Sequence, residues 1–402
     1  MNKRAHIILR SIPSLLSNDD PYIGPSGVRD WRTEGTSGGE PKKEVKVEVD
    51  ELDARKVRQL SQQRDIMGIA PVVPMRLIEP FNRQASGIGG NGDAWGIPAV
   101  RADTCPWNGE GVTVAVLDTG IDITHPAFGD IADKIEQKDF TGEGDGDADG
   151  HGTHCAGSIF GQDVDGFRMG VARRIRKALI GKVLGARGGS SITIVEAMNW
   201  AVAEGAEIIS MSLGMDMVGL VDDLMQSRPR QAAYSEAFHY YRANVQLFET
   251  YARAIEAQAS FGRPVMLIGA SGNESNRPNF EVGVSPPAVS QGFVSVAALG
   301  QSPTGWSTAK FSNHGARLSG PGVDIVSAKP GGGHAMMSGT SMATPHVAGV
   351  AALWASRLKE ERAFTLENLS KELLQSATHQ GMAPGFDPTD VGHGMVTAPQ
   401  ED

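Results

Sequence analysis

The sequence predicts an α/β protein, a mostly parallel sheet flanked by helices, preceded by a small N-terminal α/β unit. Short apolar runs alternate with segments of helical period, a pattern that gives a parallel sheet with helices on both faces. Fifty of the 402 residues are glycine, which suits many tight turns and close backbone approaches. One run, Val112–Leu117, ends in Asp118, and such sheets gather their chemistry at the C-terminal ends of their strands.

Taken in order, Ala5–Arg10 reads as a strand, and residues 12–44, rich in Ser, Gly, Pro, Asp and Glu, as a mobile loop. Glu44–Val49 alternates charges with valines, as a half-exposed strand does. Leu52–Gln62 carries Leu52, Val57 and Leu60 among charges, a short amphipathic helix, and Ile66–Val73 and Met75–Ile78 are further strands. The glycine-rich run over 86–92 is a flexible joint, dividing the chain into residues 1–91 and 92–402. In the second part Val112–Leu117, Ile208–Met211, Val265–Ala270 and Phe293–Ala297 read as strands, Ile192–Glu204 and Thr340–Leu358 as helices. Within a long insertion at about 215–262, Tyr234, Phe238, Tyr241, Val245, Phe248, Ala252, Ile255 and Ala259 recur at steps of four and three. A helix from 231 to 259 would run ~43 Å at ~1.5 Å per residue.

Three runs carry chemistry. Ser338-Gly339-Thr340-Ser341-Met342-Ala343 sets a serine among small residues at a helix start, where free N–H groups and a partial positive charge favour an oxyanion. Asp149-Gly150-His151-Gly152-Thr153-His154 sets a histidine between glycines at another helix start. With Asp118 they fill the three roles of acyl transfer: Ser341 attacks, His151 carries the proton, and Asp118 orients and stabilises the imidazole. Singly, each has a plainer reading as a turn former or cap.

The three runs resemble those of the subtilase family, the subtilisin-like serine proteases, in the family order Asp, His, Ser. Ser210-Met211-Ser212-Leu213-Gly214, Gly272-Asn273-Glu274, Phe311-Ser312-Asn313-His314-Gly315 and Gly392-His393-Gly394 extend the resemblance over most of 92–398. It implies a subtilisin-like three-layer fold and a serine endopeptidase acting through an acyl-enzyme. It gives Asn273 as an oxyanion donor, with the Ser341 N–H, and Ser212, Leu213 and Gly214 as an edge that pairs with an extended substrate, Gly214 lining the pocket before the cut. It also implies that residues 1–91 are a propeptide-like intramolecular inhibitor, a zymogen arrangement with self-processing. Two other readings stay open: a transpeptidase or macrocyclase on the same triad, and a silent binding protein.

Remaining features are read more plainly. Asp139, Asp145, Asp147 and Asp149 alternate with glycines like the opening of a calcium loop, but without the closing bidentate Glu; the plain reading is a hydrated acidic loop. The chemistry itself needs no cofactor, and no Cys/His pattern suggests zinc. His154 is assigned a structural hydrogen bond and Cys155 a free thiol beside the site; Glu274 is read as a solvated surface residue or, at the rim of the pocket before the cut, as favouring a basic residue there. A formal charge of −10 argues against nucleic acid, and no run is long enough to span a membrane. The first apolar run is cut by Arg10, short of the ~7–15 residues of a secretory signal. With two cysteines only, cytoplasmic residence is expected, leaderless secretion remaining open.

Overall fold

The computed structural model describes residues 3–13, 43–86, 92–259 and 264–401. Most of the expected mobile loop and the centre of the glycine-rich joint lie outside them.

An eight-stranded sheet forms the middle layer. Its path runs Gly305–Thr308, Phe293–Ser302, Met266–Ala270, Ile208–Met211, Thr113–Asp118, Lys177–Lys182, Ile135–Asp139, with Leu318–Pro321 also on Phe293–Ser302. All pairings are parallel except that of Gly305–Thr308. The strand Thr113–Asp118 shows how one run serves two cores. Successive strand side chains point to opposite faces. Val114 and Val116 therefore join the core containing Cys155, Ile159, Val347 and Leu353, from helices His151–Phe160 and Thr340–Glu360. Ala115 and Leu117 join the other, with Ile194 and Met198 of Ser191–Ala203 and Phe248 and Tyr251 of Arg230–Ala259. Burial on both faces is why this strand lacks polar alternation. The result is the expected three-layer α/β arrangement.

The N-terminal sheet has the order Lys43–Leu52, Arg4–Pro13, Ile66–Pro71, antiparallel throughout. Its middle strand divides its side chains in the same way: Ile8 packs with Leu52 and Leu60 towards the helix Ala54–Leu60. Ile7 and Leu9 join the core beneath the long helix. That helix runs for 30 residues, and its N-terminal half buries Ala233, Ala237, Tyr240 and Asn244. Asn244 Nδ2 donates to the Pro71 carbonyl at 2.9 Å, and Arg4 meets Glu236 at 3.4 Å. The extra helical length thus forms a seat for the N-terminal sheet.

One expected strand of the N-terminal unit lies elsewhere. Pro74–Leu77 is the middle strand of a three-stranded antiparallel sheet, between Gly189–Ser190 and Leu213–Met215. Beyond it, Phe81–Ser86 pairs with His334–Ser338. The chain between residues 74 and 86 therefore crosses the mouth of the sheet, over Ser341.

Candidate active site

Asp118 and His151 are brought together by a close approach of two turns. His151 opens its helix, and a Cβ at Gly152 would overlap the carbonyl oxygen of Gly120, so the residue after the histidine has to be glycine. Asp147 clamps the same junction. It accepts from the Thr119 hydroxyl at 2.8 Å and from the Gly150 N–H at 2.8 Å with one oxygen, and from the N–H and hydroxyl of Thr153 with the other. Thr119 Oγ1 in turn accepts from the Gly152 N–H at 2.9 Å.

The outcome is a contact of 2.7 Å between His151 Nδ1 and Asp118 Oδ1, both side chains buried. Burial alone would push the imidazole pKa down, but the Asp118 carboxylate opposes it, and the pKa stands well above its usual value. His151 Nε2 has no hydrogen-bond partner among the described residues. The Ser341 hydroxyl, in the first turn of Thr340–Glu360, donates instead to the Ile78 carbonyl at 3.0 Å.

Asn273 follows the strand Met266–Ala270. Its Oδ1 accepts from the Thr340 N–H at 2.9 Å and hydroxyl at 3.0 Å, leaving Nδ2 to donate to the Glu79 carbonyl at 2.9 Å. Ser212 braces the site from below, donating to the Ser341 carbonyl at 3.1 Å. Leu213 and Gly214 form the edge facing the cleft, opposite Leu77 and Arg76. A Cβ at Gly214 would lie 3.4 Å from the Ile78 side chain, an ordinary contact, so Gly214 borders the residue held at Ser341.

The Cys155 thiol is fully buried, 3.7 Å from His151 Nδ1 and 3.4 Å from the Ser341 carbonyl oxygen, and burial raises its pKa. His154 turns away, its Nε2 lying 3.1 Å from the Ile325 carbonyl and 3.2 Å from that of Ala335. Burial pushes its pKa down to about 3.

The acidic loop is arranged differently from a calcium cage. Asp139 spends its oxygens on Thr141 and the Gly144 N–H, Asp147 on the junction above, while Asp145 and Asp149 are exposed. No three of them bring ligand atoms within 4.8 Å; among the described residues Asp118, His151 and Cys155 do so. These carboxylates fit turn capping better than the six to eight converging oxygens calcium takes.

Sequence reading did not find the clamping role of Asp147, because a capping carboxylate is expected at the N-cap itself, and that position is Gly150. It also missed the facing edge Gly189–Ser190, whose two residues carry no strand pattern of their own.

A buried Asp–His pair, a serine at a helix start and an amide beside it have the arrangement that nucleophilic acyl transfer needs, on a three-layer α/β fold. The model of the subtilase family matches residues 109–394, and the chain belongs to that family. It is 32% identical over 311 residues to the subtilisin-like serine protease Pen ch 13 of Penicillium rubens, covering 72% of this chain and 66% of that protein. It is 32% identical over 313 residues to an intracellular serine protease of Paenibacillus polymyxa, covering 75% and 84%. M-protease of Shouchella clausii is 35% identical over 313 residues, covering 76% and 68%. The chain thus spans just under two thirds of the first of these relatives. Among the described residues no helix is long and apolar enough to cross a membrane.

Proposed function

We propose that this chain is a serine endopeptidase held inactive by its own N-terminal region. The carrying observation is that Ser341 and Asn273 contact adjacent carbonyls of one extended segment, Ile78 and Glu79. An extended polypeptide fits the same path, adding a strand between Gly189–Ser190 and Leu213–Met215.

In turnover His151 Nε2 takes the hydroxyl proton as Ser341 Oγ bonds to the substrate carbonyl carbon. The oxyanion forms against Asn273 Nδ2 and the second N–H of the helix, which has no intrahelical acceptor. The C–N bond breaks, the amine leaves with the proton from His151, and water repeats the sequence to free the acid. Asp118 stabilises the imidazolium through its 2.7 Å contact.

Inhibition follows from register. In the resting chain the Ile78 carbonyl oxygen accepts from the nucleophile, while the amide meant for an oxyanion holds the next carbonyl. The segment follows the substrate path as far as Ile78, but the Ile78 carbonyl lies off the oxyanion site, which the next carbonyl fills, and self-processing requires the Ile78 carbonyl to turn onto Asn273. The free Cys105 and Cys155, and the Paenibacillus relative named as intracellular, support a cytoplasmic setting.

Hydrolysis of internally quenched peptides and labelling by a fluorophosphonate test the reading. Both should be abolished in Ser341→Ala, which removes one oxygen and leaves the fold intact; retained hydrolysis defeats the triad. Added residues 1–80 should inhibit enzyme freed of them. If a tagged peptide is joined to an amine rather than hydrolysed, the activity is transpeptidation.

A further inference from the structure

The segment lying in the cleft shows which side chains its walls accept. Arg76 pairs with Gly214, and its side chain shares a strand face with Ile78, two residues on. Its guanidinium meets carboxylates from two separate loops: Glu274 Oε1 at 3.0 Å through Nη2, and Asp216 Oδ1 at 3.5 Å through Nη1. Both carboxylates are anchored independently of the arginine. Asp216 caps the helix Met217–Met225, accepting from the Gly219 N–H at 3.0 Å. Glu274 accepts at its other oxygen from Asn313 Nδ2 at 2.7 Å, and its own N–H donates to Asn313 Oδ1 at 3.1 Å. Asn313 is fully buried and fixed in turn by the Ser271 and Gly283 carbonyls.

Carboxylates fastened in this way keep their positions without a cation between them. An entering guanidinium then meets preset partners and loses less freedom on binding. We infer that Asp216 and Glu274 form a cation-selecting subsite, so that the enzyme favours extended polypeptides with Arg, then Lys, two residues before the residue whose carbonyl is attacked. Arginine leads because its planar fork reaches both carboxylates, whereas an ammonium is a single point charge. The inference rests on the reading that residues 74–79 follow the substrate path. Arg76 is 40% exposed, so each pair is screened, and the preference should be about three- to tenfold.

The test uses the full chain carrying Met75→Asp and Leu77→Asp, which set charges at two buried positions and expel the segment. Two quenched peptides, Met-X-Leu-Ile-Ala-Ala with X either Arg or its neutral isostere citrulline, are compared by kcat/KM. The Arg peptide should be favoured by about three- to tenfold, and the ratio should fall towards one on adding Asp216→Asn and Glu274→Gln, and in high salt. Equal turnover of the two peptides, a ratio that survives the carboxylate changes, or labelling by a fluorophosphonate with hydrolysis of neither peptide overturns the subsite. Absence of both labelling and hydrolysis instead defeats the protease reading beneath it. A second measurement needs no displaced segment: Arg76→Gln alone should speed fluorophosphonate labelling of the chain, and this gain should vanish when both carboxylates are already neutral. A gain that persists there overturns the inference.

Discussion

The Ser341 hydroxyl donates to the Ile78 carbonyl oxygen at 3.0 Å, and so it faces the oxygen of a peptide whose carbon it would have to attack. His151 Nε2 meanwhile lacks a hydrogen-bond partner among the described residues. The acid and base of the triad are assembled, and the last contact, to the nucleophile, is diverted by the resident segment. Removing the segment should complete the site without rebuilding it.

Pro80 is placed to hold that register. It restricts Glu79 to extended conformations and has no N–H of its own to donate. Pro80→Ala should let the Ile78 carbonyl move onto Asn273 and hasten self-cleavage after Ile78 by roughly tenfold or more, the scale of small gains in reactive geometry. Mass spectrometry of the purified chain over time would reveal a new terminus at Glu79. An unchanged rate would show that proline does not set the register.

The pH dependence follows from His151. Burial disfavours its charged form, the Asp118 charge favours it more, and the pKa is raised. Only the neutral ring can take the serine proton, so kcat/KM should rise with pH through a value above the usual ~6.5. In Asp118→Asn burial loses its main opponent, so the same limb should move to lower pH, with kcat down about 10⁴-fold, as in another serine protease. For stability the sign is opposite. The raised pKa contributes stability that is complete below the unfolded value and lost as pH rises through the folded one. A pH–rate profile and a pH series of thermal melts check the two together.

Much of this was legible in the sequence because it rests on local pattern. The strand ending at Asp118 and the helix beginning at Thr340 were visible as apolar runs, the 30-residue helix as apolar periodicity, and the residue motifs named Asp118, His151 and Ser341. What local pattern does not encode is the partner of a short strand. Met75–Ile78 looked like part of the N-terminal unit, yet the strand Pro74–Leu77 lies between two peptidase edges. Its alternation is satisfied equally by either sheet, and only the tertiary arrangement decides. Which carbonyl meets Ser341 and which meets Asn273 was invisible for the same reason, being set by contacts between segments far apart in the chain.

Asp147 should prove a positioning residue. Asp147→Ala strips acceptors from Thr119, Gly150 and Thr153, leaving partly buried donors unpaired at about 1–3 kcal/mol each at most. The turn carrying Asp118 would loosen against the helix carrying His151, and kcat should fall about 10–100-fold with KM little changed. Asp147→Asn, which keeps an acceptor, should recover part of that loss. Equal effects on kcat and KM would point to general destabilisation instead.

Cys155 tests whether the thiol takes part. It follows His151 by four residues on one helix, so both project to nearly the same face, and its sulfur lies 3.7 Å from His151 Nδ1. Burial raises its pKa, which keeps it a thiol and a poor nucleophile at neutral pH. A mercurial bound there has no free volume to occupy, since the side chain is fully buried, and must push the imidazole from Asp118. Wild-type enzyme should therefore lose activity slowly and completely on mercurial treatment. Cys155→Val should keep activity within about threefold, as a near-isosteric apolar exchange in a packed core, and resist the reagent. An inactive valine variant that still folds would make the thiol a participant, and equal inhibition of both proteins would place the mercury elsewhere.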